Sequence, residues 1–118
     1  MASLNMQGPY VLVPDKIDEV VPAKTPGNYA IGYVADSDFI VRYVGRASTD
    51  LNRELKGMVY RLSDCLFFKF SMAKSSKEAF KKECINYHDF GGNTQLKNTG
   101  HPVRRNGEED WKCPCCDV

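Results

Sequence analysis

Cys113 and Cys116 stand three residues apart near the C-terminus, the Cys-x2-Cys spacing of a metal-binding knuckle. Cys84 and His88 stand four apart in a stretch of helical character, so both project from one helix face. Together the four make a Cys3His donor set, a common composition for structural zinc. Four protein ligands leave no open position for water, so such an ion would hold structure rather than act on a substrate. His101, before Pro102, competes with His88, and Cys115 is an alternate at the knuckle. The fifth cysteine, Cys65, lies in a β-rich run and reads as core. A rival reading makes Cys113, Cys115 and Cys116 a redox or metal-handling cluster. That reading expects a labile or reactive site, whereas structural zinc expects one tightly held ion whose removal unfolds the tail.

The elements around these residues give the cluster a purpose. Residues 93–118 hold Gly, Pro, Asn and charges without a period, and so long an irregular stretch is uncommon in a compact domain unless something ties it down. Upstream, residues 1–26 read as a lead-in, with a short strand at Tyr10–Val13 and a helix starting at Pro14-Asp15. Tyr29–Val34 and Phe39–Val44 are strand-like runs on either side of a turn at Asp36-Ser37-Asp38. Ser48, Thr49 or Asp50 can cap a helix whose apolar stripe is Leu51, Leu55, Val59 and Leu62. Gly57 weakens that helix by about 1 kcal/mol relative to alanine. Cys65–Met72 is a third strand. A second helix, capped by Ser75 or Ser76, carries Ala79, Phe80, Cys84 and Tyr87 and ends at Gly91-Gly92. The expected architecture is α+β: a three-stranded antiparallel sheet flanked by helices, with a core at 27–92 and a zinc-stapled tail at 93–118, in one domain overall.

The chain has 118 residues and a net charge of +1, which excludes a strongly basic coat protein of histone type. The sum conceals a segregation. Residues 1–41 carry −3, residues 42–82 carry +6 and residues 83–118 carry −2. A basic central segment suits contact with a phosphate backbone; solvated helix faces account equally well for charge alone. The N-terminus lacks the basic start and apolar run of a signal peptide, and no stretch approaches a membrane span. A soluble cytoplasmic protein with reduced thiols is expected.

The hairpin and the helix after it carry a further pattern. Gly27-Asn28-Tyr29 lies on one strand, Tyr43-Val44-Gly45 on the next, and Arg53 follows ten residues after Tyr43. Downstream comes Ala79-Phe80-Lys81-Lys82-Glu83. This order and spacing resembles the GIY-YIG nuclease superfamily over residues 27–90. That superfamily includes homing endonucleases, some restriction enzymes and the bacterial excision-repair endonuclease.

The resemblance implies a metal-dependent endonuclease that hydrolyses nucleic-acid phosphodiesters, DNA sooner than RNA, with a homodimer suited to double-strand cleavage. It assigns catalytic roles to Tyr29, Tyr43, Arg53 and Glu83. Glu83 would hold Mg2+ or Mn2+, Arg53 would contact the scissile phosphate, and Tyr29 would be the general base, its phenol lowered by nearby cations. Arg46, Lys56 and Gly45 are the expected substrate-binding positions, Gly45 by letting the backbone turn tightly beneath the site. Two features depart from the pattern. Asn28 replaces an apolar residue, and Gly57 stands where several relatives have histidine. Asn93 or Asn98 is a candidate for the asparagine that closes many such sites. The alternative is a catalytically inactive domain of this type that binds zinc and recognises nucleic acid or protein.

Overall fold

The computed structural model describes residues 4–62, 64–98, 100–105 and 107–116; the extreme ends of the lead-in and the tail lie outside them. Alternation along β2 (Gly27–Ala35) organises the fold. Tyr29 and Ile31 point to one face of the sheet and Asn28 and Ala30 to the other, and all four are buried, as a central strand covered on both sides requires. β2 pairs antiparallel with β3 (Asp38–Ala47) through a tight turn at Asp36 and Ser37. Both turn residues have positive φ, 51° and 68°, the conformation that matches the right-handed twist of the two strands.

The sheet has four strands, not three, in the order β1-β4-β2-β3. β1 (Gln7–Val11) comes from the lead-in and pairs antiparallel with β4 (Phe67–Met72). Its Tyr10 packs on the rings of Phe68 and Phe70 at 5.7 and 6.1 Å. The apolar surface of β4 needs that cover, which is why residues 1–26 are part of the sheet rather than a prelude to it.

Helices cover both faces. α1 (Pro14–Val20) and α2 (Leu51–Met58) lie over the Tyr29 face, where Ile17, Leu51, Leu55, Phe68 and Phe70 form the main core. Asp50 caps α2 by accepting the Arg53 amide at 3.2 Å. The helix stops at Met58, earlier than the apolar stripe suggests, although Val59 and Leu62 still pack on the core. α3 (Ser76–Asp89) covers the opposite face, capped by Ser75 through the Glu78 amide. Asn28 belongs to that face, and its side-chain amide donates to the Ala79 carbonyl at 2.8 Å. A polar residue therefore sits in the first triplet as a tie between strand and helix.

After a single 3-10 turn at Gly92–Thr94, the tail returns along the outer edge of β3. Asn98 accepts from the Val44 amide at 3.1 Å and donates to its carbonyl at 2.8 Å, standing in for a strand neighbour, and Leu96 is buried beside Val44 and Tyr87. Among the described residues no helix is long and apolar enough to cross a membrane.

Candidate functional site

Two groups of side chains concentrate chemistry. The first gathers the tail onto the end of α3. His88, His101, Cys113 and Cys116 place one ligand atom each within 4.8 Å of one another. Cys116 Sγ lies 3.3 Å from His101 Nε2. His101 Nδ1 lies 2.8 Å from the Pro102 carbonyl. A carbonyl only accepts, so Nδ1 carries the proton and Nε2 presents its lone pair to the cluster. The Cys115 amide donates to Cys113 Sγ at 3.4 Å. Burial opposes ionisation of Cys113, but that amide and the His101, Cys116 and Cys84 side chains outweigh it and bring the thiol down to about 6. Two sulfurs and two imidazole nitrogens at this separation suit a four-coordinate ion.

Three of the four expected metal-binding positions, His88, Cys113 and Cys116, are in this group. His101, the alternate, stands where Cys84 was expected. Cys84 is fully buried in an apolar cluster with Phe80 and Cys113. Burial pushes its thiol up, and the neighbouring Cys113 adds to the effect; Cys84 lies beside the four-donor group and is not one of its members. Cys115 is exposed. Trp111 packs on Phe80 at 5.8 Å, closing the cluster from the tail side.

The second group lies on the other side of the hairpin. Tyr29 pairs with Gly45 in the register of β2 and β3, and its ring covers Gly45 so closely that a Cβ there would stand 2.4 Å from the phenol. Gly45 is thus required to seat Tyr29; it lies inside β3 and does not turn the chain. The Tyr29 and Tyr43 rings stack at 6.2 Å. Tyr29 donates its hydroxyl to Glu54 Oε2 at 3.4 Å. Burial, followed by the charge of Glu54, holds the Tyr29 phenol well above its ordinary value. Tyr43 is also raised, again chiefly by burial. The expectation of a Tyr29 base lowered by cations fails on this point, because the phenol is buried and the charge beside it is the Glu54 carboxylate.

Arg53 and Glu54 line an open cleft of about 360 Å3 together with Ser48, Asp50, Arg61 and Arg105. Glu83 approaches from α3, close enough for its charge to raise both tyrosines, but it is 8% exposed and does not line the cleft. Its Oε1 accepts from Arg46 Nη1. Arg46, 3% exposed, also donates to Glu108 Oε1 at 2.8 Å and to the Val103 carbonyl at 2.9 Å, and lies over the Phe80 ring. Arg46 is therefore interior, not substrate-binding: α3 and the tail close over that face of β3. Burial pushes Glu83 up, against the pull of Arg46. Lys56 is likewise occupied elsewhere, paired with Asp18 of α1 at 2.6 Å. Asn98 is engaged by the backbone of β3, and Asn93 sits exposed in the 3-10 turn.

From the sequence, Arg61 counts only as one of the basic central residues and Glu54 only as a first-turn acid of α2, and Glu108 has no role. Arg53, Gly57 and Arg61 recur at intervals of four, a helical-face signal for Arg61. Glu108 left none, because its partner Arg46 is 62 residues away. No protein-family model matches the chain, and neither a curated protein nor a solved structure matches it.

Proposed function

We propose that this protein is a metal-dependent nuclease that hydrolyses phosphodiester bonds in nucleic acid, DNA in the first instance, with a zinc ion tying its tail to α3. The observation that carries the reading is the cleft in which Arg53 stands beside Glu54, whose carboxylate receives the Tyr29 hydroxyl above the stacked Tyr29–Tyr43 pair. This arrangement supports the GIY-YIG resemblance through the two tyrosine triplets, which lie on the paired strands β2 and β3 and meet at Tyr29 and Gly45.

Arg53 offers a planar, permanently charged fork to a phosphate. Tyr29, protonated, fixes the orientation of the Glu54 carboxylate, and Glu54 is the acceptor placed to take the proton of an attacking water. The resemblance puts Mg2+ or Mn2+ at Glu83, where it would supply positive charge against a phosphate. Glu83, however, is buried on Arg46 and does not line the cleft, so the charge that faces a phosphate there is that of Arg53. A cation at Glu83 must compete with Arg46 for the carboxylate. At the other group, zinc suits the Cys2His2 donor set and would serve structure.

The Arg46–Glu83 pair also favours a second reading, a domain that binds nucleic acid without cutting it. Wild type and Glu83→Gln, each incubated with labelled DNA and Mn2+, separate the two. Cleavage by the wild type alone, with binding kept in both, supports the nuclease. Binding without cleavage in both supports the second reading.

A further inference from the structure

Three arginines without acidic partners share one cleft. Arg53 reaches it from α2, Arg61 from just beyond that helix, and Arg105 from the tail, and all three are exposed. Among the described residues none of them forms an ion pair. Asp50, which caps α2, and Glu54, which accepts the Tyr29 hydroxyl, also line the cleft, and the three guanidinium groups outnumber these two carboxylates by one. Guanidinium groups gathered in one concavity repel each other, and an anion relieves that repulsion. A phosphate fits the planar forks best.

Arg105 is held in place from several directions. Its Nη1 donates to Ser48 Oγ at 2.9 Å, and its amide donates to Glu108 Oε1 at 2.8 Å. Glu108 is in turn fixed on the buried Arg46. The adjacent Arg104 turns away and donates to the Trp111 carbonyl at 3.0 Å. The segment that carries Arg105 begins at His101 and ends at Cys113, and both residues belong to the metal-binding group. An ion held there would clamp the two ends of the loop that presents Arg105.

We infer that the cleft is a phosphate-backbone subsite for nucleic acid, and that the metal-clamped tail delivers Arg105 to it, so that nucleic-acid affinity depends on metal content. This rests on the reading that the ligand is nucleic acid, but not on cleavage.

The test is binding of a short fluorescein-labelled DNA duplex, measured by anisotropy across a salt series without added Mg2+ or Mn2+. Arg105→Ala is expected to weaken binding about tenfold at low salt and to flatten the slope of log K against log salt by about 0.9, one phosphate contact. Arg105→Lys is expected to keep the slope. In a Cys116→Ser background, which breaks the donor set, Arg105→Ala is expected to have no further effect. Should Cys116→Ser unfold, stepwise chelation of the wild type, with His101→Cys as a four-donor control that keeps the slope, reads the same coupling. An unchanged slope in Arg105→Ala overturns the subsite. A full Arg105 effect in metal-free protein overturns the delivery by the tail. Binding with the expected slopes but no cleavage under Mn2+ removes the nuclease reading and leaves this inference standing. Cleavage with no response to Arg105→Ala does the reverse.

Discussion

Arg46 and Glu83 form an ion pair in the interior of the domain, with a second carboxylate, Glu108 of the tail, on the same guanidinium. One buried cation thus joins β3, α3 and the tail. Removing it leaves two carboxylates facing each other away from water. Arg46→Met is expected to lower stability by about 3–5 kcal/mol, read as a fall in the urea midpoint. A shift below about 1 kcal/mol would mean that the triad is open to solvent, as exposed pairs are.

Gly45 and Gly57 should respond in opposite directions to alanine. At Gly45 the new methyl meets the Tyr29 ring, so Gly45→Ala is expected to cost about 1–3 kcal/mol as an overpacked site and to displace Tyr29 from Glu54. At Gly57 nothing lies within 4 Å and the backbone is helical, so Gly57→Ala is expected to add about 0.5–1 kcal/mol. Thermal melts of the two variants side by side check both signs.

The four-donor group makes a prediction about metal that divides Cys84 from His101. Cys84→Ala should keep the bound metal and lose about 1 kcal/mol of packing. His101→Ala should lose the metal and loosen the tail. Elemental analysis of protein purified without added metal decides it; the opposite pattern would put Cys84 in the coordination sphere.

Tyr29 contributes to the alkaline limit of stability. Its phenol is held above the ordinary value of 10.0 in the folded chain, so the folded state keeps a proton that the unfolded state loses. The stabilisation from Tyr29 is complete below about pH 10 and is lost as pH rises toward the folded value. Urea unfolding repeated from pH 9 upward should show a steep decline in the wild type and a shallower one in Tyr29→Phe. Parallel declines would place the alkaline sensitivity elsewhere.

Local patterns were legible in the sequence, and long-range ones were not. The β-rich runs of the hairpin, the turn between them and the caps that include Asp50 and Ser75 are read from neighbouring residues, and they place the hairpin and the starts of α2 and α3. The fourth strand was misjudged because a five-residue edge strand shows its purpose only against Phe68 and Phe70. Arg46 looked like a substrate contact because it follows Tyr43-Val44-Gly45 at the end of a strand; nothing nearby in sequence says that Glu83 and Glu108 will close over it. The spacing of Cys84 and His88 identified a shared helix face, but not that the Cys84 end of it is sealed under Phe80 while His101 folds back to complete the set. Arg104 and Arg105 are adjacent residues of one type, which the sequence does not tell apart; in the fold one donates to the Trp111 carbonyl and the other lines the cleft.

The most direct measurement is a cleavage time course on end-labelled DNA with Mn2+, comparing wild type with Arg53→Ala. The wild type is expected to cut, with Arg53→Ala slower by about a hundredfold or more while still folded. Intact DNA after prolonged incubation with folded, metal-loaded wild type would contradict the nuclease reading, and equal rates in the two proteins would remove Arg53 from the chemistry.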